Sequence, residues 1–114
     1  MTLDLLLGTW VNTNASSKWI SRVILKPHDG TLKALFVCEA AEWGEIEAPV
    51  FGEQPGDNTA AAFHARHRSG ALDVRLQGYV VKGVLVVISF ARTEYPSPLP
   101  AFMVKEFFYR VEDR

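Results

Sequence analysis

The sequence predicts an all-β protein, a single antiparallel up-and-down β-barrel of about eight strands. The chain has 114 residues, which suits one domain spanning 1–114 with a core of its own. Apolar and β-branched runs of strand length alternate with turn-forming residues at even spacing. A helical repeat is missing, apart from a possible turn at Leu3 to Leu7. Evenly spaced strands favour a barrel, because closure protects every sheet edge.

Eight runs have the length and composition of strands. In chain order they are Gly8 to Asn12, Trp19 to Lys26, Thr31 to Cys38, Trp43 to Phe51, Ala60 to His67, Ala71 to Val80, Val84 to Ala91 and Ala101 to Val111. Turn signals separate them, such as Pro27 to Gly30 and Val81 to Gly83. Three prolines at alternate positions predict an extended loop over Tyr95 to Pro100. Pro49 cannot donate a ladder hydrogen bond, so the fourth strand must bulge or stop there.

Composition and charge exclude several classes of partner. A formal net charge of −1 gives no electrostatic footprint for nucleic acid or an anionic membrane. The N-terminal apolar run is too short for a signal peptide, and Val84 to Phe90 suits a buried strand and not a membrane span. Cys38 is the single cysteine, so no internal disulfide can form. We therefore expect a cytoplasmic protein.

Strand alternation predicts which side chains face the barrel interior. The apolar rows are expected inside, and they comprise Gly44, Ile46 and Ala48, then Ala61, Phe63 and Ala65, then Leu72, Val74, Leu76 and Val80. Trp43, Glu45 and Glu47 are then expected outside. Small residues in the inward set, such as Ala48, Ala61 and Gly78, favour an internal cavity over a packed core.

The opening Gly8-Thr9-Trp10 resembles the Gly-x-Trp signature of lipocalins. The resemblance implies that Trp10 plugs the closed end of the barrel, and that an arginine late in the last strand, here Arg110, packs across its ring. The stretch from Gly8 to Ser16 also resembles the start of avidin-type proteins, which implies ligand contacts for Asn12 and Ser16. Cys38 with Glu42-Trp43-Gly44 is similar to uncharacterised bacterial lipocalin-like proteins.

If Arg110 faces inward, Glu106 faces inward as well and becomes the candidate catalytic or ligand-binding acid. The alternative interpretation is an ion pair between Glu106 and Arg110. The inward rings of Phe63 and Phe108 are candidate ligand contacts. Asn12 and Ser16 either bind the ligand at the barrel mouth or cap turns through their own backbone.

Metal, cofactor and nucleophile chemistry find little support in the sequence. His64 and His67 lie on opposite faces of a strand, so a shared metal is not expected. Glu45 and Glu47 have the spacing of a glycosidase pair, but alternating exposed glutamates are far commoner. Cys38 lacks a basic neighbour that would activate its thiol. We expect no metal and no cofactor.

Three functions remain open. The first is a binding barrel for a largely apolar small molecule, which enters between Thr13 to Lys18, Glu39 to Glu42, His67 to Gly70 and Arg92 to Pro100. The second is a cofactor-independent cyclase or isomerase with Glu106 as its acid. The third is a structural or interaction module with a packed core.

The outer face of the last two strands predicts a homo-oligomer, most simply a dimer. If Glu106 faces inward, the outward side chains of the last strand are Met103, Phe107, Tyr109 and Val111. They lie beside an apolar row of Val84 to Phe90. Together they make a patch larger than most monomers leave in water.

Overall fold

The computed structural model describes residues 1–39, 42–93 and 101–111 as an antiparallel β-barrel. Its strands are β1 (Gly8–Asn12), β2 (Ile20–His28), β3 (Thr31–Cys38), β4 (Glu42–Ala48), β5 (Val50–Phe51), β6 (Ala62–Ser69), β7 (Leu72–Val81), β8 (Val84–Thr93) and β9 (Phe102–Val111). The predicted fold class is confirmed. In the described part of the chain, no helix is long and apolar enough to cross a membrane. The loop predicted over Tyr95 to Pro100 lies outside the described residues.

The sheet is nearly closed into a ring, and the segment that joins its two edges bends at Pro49. The strand order is β4-β3-β2-β1-β9-β8-β7-β6-β5. Pro49 separates β4 from β5, as the prediction of a bulge or stop requires, and this division raises the strand count from eight to nine. β4 pairs with β3, whereas β5 pairs with β6. The His64 N–H also donates to the Pro49 carbonyl at 3.1 Å.

Two tight hairpins set the register of the neighbouring strands. Asp29 and Gly30 both have positive φ, at 48° and 80°, and so do Lys82 and Gly83, at 51° and 77°. Two consecutive positive φ values are the requirement of a type I′ turn, which matches the twist of antiparallel strands. The predicted turn at Pro27 to Gly30 is therefore too long, because β2 continues to His28.

The closed end of the barrel is built around Trp10. Its side chain is 1% exposed, and its indole N–H donates to the Leu6 carbonyl at 2.9 Å. The Arg110 guanidinium lies over the ring at 4.5 Å, and it also donates to the Leu5 carbonyl. The predicted turn is present, since the Leu6 N–H donates to the Leu3 carbonyl. The N-terminal turn, Trp10 and Arg110 therefore seal one end together.

Large apolar side chains fill the interior of the barrel. Phe63, Val74, Leu76 and Phe108 are buried, which agrees with the predicted inward rows. The expectation that small inward residues leave a cavity is wrong at Gly78. A Cβ there would lie 2.3 Å from the Phe63 ring, so the missing side chain makes room for an aromatic ring.

Trp43 faces the interior, contrary to the prediction. Gly44 has a φ of 82°, and the pairing of β3 with β4 shifts between Leu35 and Val37. An extra residue with positive φ is a β-bulge, which reverses the alternation on one side of it. Glu45 stays exposed as predicted, but Gly44 is exposed and Trp43 packs against the core.

Candidate ligand-binding site at the barrel mouth

Glu106 is a half-buried carboxylate on the inner face of β9, on the side of the barrel away from Trp10 and Arg110; we call that end the mouth. Three donors from β1 and from the chain that enters β2 converge on it. The Asn12 side-chain amide donates to Oε2 at 2.9 Å, and the Ser17 hydroxyl donates to the same oxygen. The Ile20 N–H donates to Oε1 at 3.3 Å. The carboxylate is thus fixed in orientation by neutral groups alone.

Asn12 is a buried side chain that orders the mouth loop. Its amide also donates to the Ile20 carbonyl at 2.7 Å, and its Oδ1 accepts the Asn14 N–H at 2.8 Å. The second contact is an Asx turn, so the turn-capping interpretation of Asn12 holds. The amide that reaches Glu106 places the same residue in the candidate site as well.

Ser16 is exposed, and it uses its backbone N–H to donate to Asn14 Oδ1 at 3.0 Å. Its neighbour Ser17 is the residue that reaches Glu106. Ser17 also accepts the Trp19 N–H at 3.2 Å, which turns the chain into β2. The resemblance assigned a ligand contact to Ser16 from its position along the chain. Such an assignment does not distinguish Ser16 from the adjacent Ser17.

The proposed pair of Glu106 with Arg110 is not formed. The two share a face of β9, but residues four apart on a strand are separated by about 13 Å. Arg110 contacts Trp10 at the closed end. Among the ion pairs of the described residues, none includes Glu106. A partly buried carboxylate without a countercharge is unusual and marks a candidate functional site.

Aromatic side chains surround the mouth. The Trp19 ring lies 5.3 Å from Trp43 and 5.4 Å from Phe102, edge-on in both cases. Trp43 also stacks on His67 at 4.5 Å with an interplanar angle of 2°. This stack bridges β4 and β6 at the mouth. Nearer the closed end, β5 pairs with β6 through backbone hydrogen bonds. The sequence analysis missed this group, since only the bulge at Gly44 turns Trp43 inward.

Two buried donors have no hydrogen-bond partner within the described chain. They are the Trp19 indole Nε1 and the Ser89 hydroxyl, which lies on the inner face of β8. A buried polar group left unpaired costs about 1–3 kcal/mol, so native proteins rarely leave one without a role. The Trp19 N–H belongs to the aromatic group of the mouth and offers a bound molecule a hydrogen bond.

The predicted ligand contacts Phe63 and Phe108 lie deeper than the mouth. Both side chains are fully buried, and Phe63 packs against Phe36 at 6.3 Å and against Gly78. They form the floor beneath the site. Trp19, Trp43 and Phe102 form its walls.

Two titratable groups near the mouth carry perturbed pKa values. Burial raises the pKa of the Cys38 thiol to about 11, and the nearby Glu106 carboxylate adds to the rise. The thiol is therefore protonated at neutral pH and a poor nucleophile. Burial also lowers the pKa of His67, which favours the neutral imidazole in its stack on Trp43.

The part of the chain that the structure describes holds no group of three or more His, Cys, Asp or Glu side chains suited to a metal. His64 and His67 occupy opposite faces of β6, as predicted. No family model, curated protein or solved structure matches this chain. The geometry of the mouth is therefore the basis on which a function can be proposed.

Proposed function

We propose that this barrel binds a largely apolar small molecule in its mouth, with a hydrogen-bond-donating group of the ligand directed at Glu106. The observation that carries the proposal is the Glu106 carboxylate, held by Asn12, Ser17 and Ile20 with no cation paired to it in the described chain. A carboxylate has about four acceptor positions, and three are occupied here. No described residue occupies the remaining one, which we assign to the ligand.

The aromatic side chains at the mouth favour a particular shape for the apolar part of the ligand. Trp19, Trp43 and Phe102 offer ring edges and faces, which favour a flat or aromatic body. The unpaired Trp19 N–H favours an acceptor on the same molecule. Pockets of this kind typically combine apolar walls with a few fixed polar groups. We also propose that the barrel is of the lipocalin and avidin type. The single cysteine, Cys38, further favours a cytoplasmic location.

The binding function is favoured over the two alternatives by the same contacts. A cyclase or isomerase needs Glu106 to deliver a proton, whereas three converging donors suit a carboxylate that accepts hydrogen bonds. A purely structural module would gain nothing from a carboxylate without a paired cation and an indole N–H without a hydrogen-bond partner at one end of the described chain.

N-phenyl-1-naphthylamine is a suitable probe because it is apolar and aromatic and carries one N–H donor. We expect saturable binding, seen as enhanced probe fluorescence with energy transfer from the tryptophans. Glu106→Gln keeps the shape and removes the charge, and it should weaken binding about tenfold, the effect of about 1.4 kcal/mol. Native mass spectrometry of the purified protein tests in parallel for a co-purifying molecule.

Glu45→Gln is the matched control, since Glu45 is an exposed glutamate on the outer face of β4. It should leave probe affinity unchanged. If Glu106→Gln lowers stability by several kcal/mol and leaves probe affinity unaffected, Glu106 is a structural residue and the proposal fails. Equal loss in both variants would also contradict it.

A further inference from the structure

Four arginines surround one aspartate on the outer wall of the barrel, far from Glu106. Arg66 and Arg68 lie on β6, Arg75 on β7 and Arg92 on β8. Asp73 is directly opposite Arg68 on one side and Arg92 on the other. Arg66 is directly opposite Arg75, a like-charge pair that opposes sheet formation. The whole chain has a net charge of −1, so this is a local concentration of positive charge.

Asp73 neutralises only part of this cluster. It accepts two hydrogen bonds from Arg66, at 3.0 Å to Oδ1 and 2.9 Å to Oδ2. The Arg66 hydrogen bonds hold the pKa of Asp73 below its ordinary value, and the charges of Arg66, Arg68 and Arg75 act in the same direction. The side chains of Arg75 and Arg92 make no hydrogen bond or ion pair with another side chain of the described residues. Within that part of the chain, their guanidinium groups are not neutralised by a direct contact.

A cleft of about 530 Å³ opens between these arginines and the start of β9. Arg66, Arg75 and Arg92 line it with positive charge, which the Asp73 carboxylate in the same lining partly offsets. Phe90, Phe102 and Met103 supply apolar surface. Phe90 and Met103 are register partners on β8 and β9 and are exposed at 43% and 58%. A guanidinium group can donate two parallel hydrogen bonds to a pair of phosphate, sulfate or carboxylate oxygens. The exposed apolar side chains beside the arginines would contact a short hydrocarbon chain.

We propose that this cleft is a second binding site, for an anionic amphiphile whose phosphate-like or carboxylate head contacts Arg75 and Arg92 and whose short apolar group covers Phe90 and Met103. The site shares neither Glu106 nor its three donors with the mouth, and Phe102 is the one residue named for both. Its head group contacts residues that the mouth does not use.

Calorimetric titration with n-octyl phosphate, below its micelle concentration, tests the proposal. We expect one saturable site whose affinity falls as ionic strength rises. Arg75→Ala and Arg92→Ala should each weaken binding about tenfold, as expected when a charge-assisted hydrogen bond is lost. Inorganic phosphate alone should bind more weakly than n-octyl phosphate, because it lacks the apolar group.

Arg22→Ala is the matched control, an exposed arginine on β2 at the opposite side of the barrel, and it should bind as the unchanged protein does. Glu106→Gln should also leave this affinity unchanged, which separates the cleft from the mouth. Co-sedimentation with phosphatidylglycerol vesicles identifies the source: binding lost in Arg75→Ala assigns a lipid headgroup, and no co-sedimentation assigns a free amphiphile. The proposal is overturned by no binding of n-octyl phosphate, or by binding that both arginine variants retain.

Discussion

Glu106 and Arg110 are two charged residues on the same face of one strand, yet they belong to opposite ends of the barrel. Arg110 stacks on Trp10 and donates to Leu5, so its charge is used to hold the N-terminal turn in place. Among the described residues, Glu106 accepts hydrogen bonds only from neutral donors at the mouth. Because four residues separate them on the strand, Arg110 helps to close one end and Glu106 is left without a paired cation at the other.

Trp10→Ala should destabilise the protein by about 3–5 kcal/mol, the range for removing a large buried ring. The ring is 1% exposed, and it anchors both Leu6 and Arg110. Trp10→Phe keeps a ring beneath Arg110 and loses the hydrogen bond to Leu6, so its cost should be smaller. Urea denaturation measures both values. Equal, small losses for the two variants would show that Trp10 does not hold the closed end.

At the scale of the element, period-two alternation predicted most inward faces but failed on β4. The rows on β6, β7 and β9 follow the pattern, because no bulge interrupts the register of these strands. On β4, Gly44 inserts one extra residue and turns Trp43 into the mouth. A bulge depends on one backbone dihedral, which alternation of apolar residues does not report. The walls of the candidate site were therefore missed, while its carboxylate was found.

Gly44→Ala should cost about 1–2 kcal/mol, because an L-residue is strained at the φ of 82° that the bulge requires. Apart from its two neighbours in the chain, no described residue has an atom within 4 Å of the added Cβ, so the cost is conformational and not steric. Glu45→Ala, one residue away on the same strand, is the control and should stay within about 0.5 kcal/mol. Thermal unfolding monitored by circular dichroism compares the two. A Gly44→Ala protein as stable as the control would contradict the bulge.

The stack of His67 on Trp43 should make stability depend on pH. Burial lowers the pKa of His67 from its ordinary value of 6.5, so the unfolded chain binds the proton first. The stabilisation is present above pH 6.5 and is lost as pH falls toward the folded pKa. The hydrogen bonds from Arg66 lower the pKa of Asp73 from its ordinary value of 3.8. The stabilisation from this pair is therefore present above pH 3.8 and is lost as pH falls toward the folded pKa.

Urea unfolding between pH 7 and pH 5 measures this dependence. His67→Gln removes the titrating group and should flatten the curve over that interval. His64→Gln, on the outer face of the same strand, is the matched control and should keep the slope of the unchanged protein. If both variants keep the slope, a group other than His67 is responsible.

At the scale of the whole molecule, the barrel has two different ends and a wall with two distinct surfaces. Trp10 and Arg110 close one end, and Glu106 with the aromatic side chains of the mouth lies at the other. On the wall, the arginine cleft lies toward the mouth, where Arg92 is the last residue but one of β8 and Phe102 begins β9. Toward the sealed end the same wall is apolar, with Phe107 and Tyr109 exposed at 44% and 48%.

We expect a second copy of the chain to bind to this apolar surface near the closed end. Phe107 and Tyr109 pair in register with Val86 and Val84, so the surface spans two strands. Lys105 extends over the Phe107 ring at 5.8 Å and places its charge at the border. A two-fold dimer would bring the same surface together from both copies, and burying apolar area contributes about 25 cal/mol per Å². A net charge of −1 adds little repulsion.

Light scattering at micromolar concentration should therefore give twice the mass of the chain, and Phe107→Glu should give a monomer, because it places a carboxylate in the centre of the contact. Phe51→Glu is the matched control. Phe51 is a phenylalanine of similar exposure, 46%, on β5, which lies away from β9 in the strand order, and its variant should stay dimeric. A monomer at every concentration for the unchanged protein, or dissociation by both variants alike, would remove the interface. Persistence of the dimer in Phe107→Glu would place the contact elsewhere on the barrel.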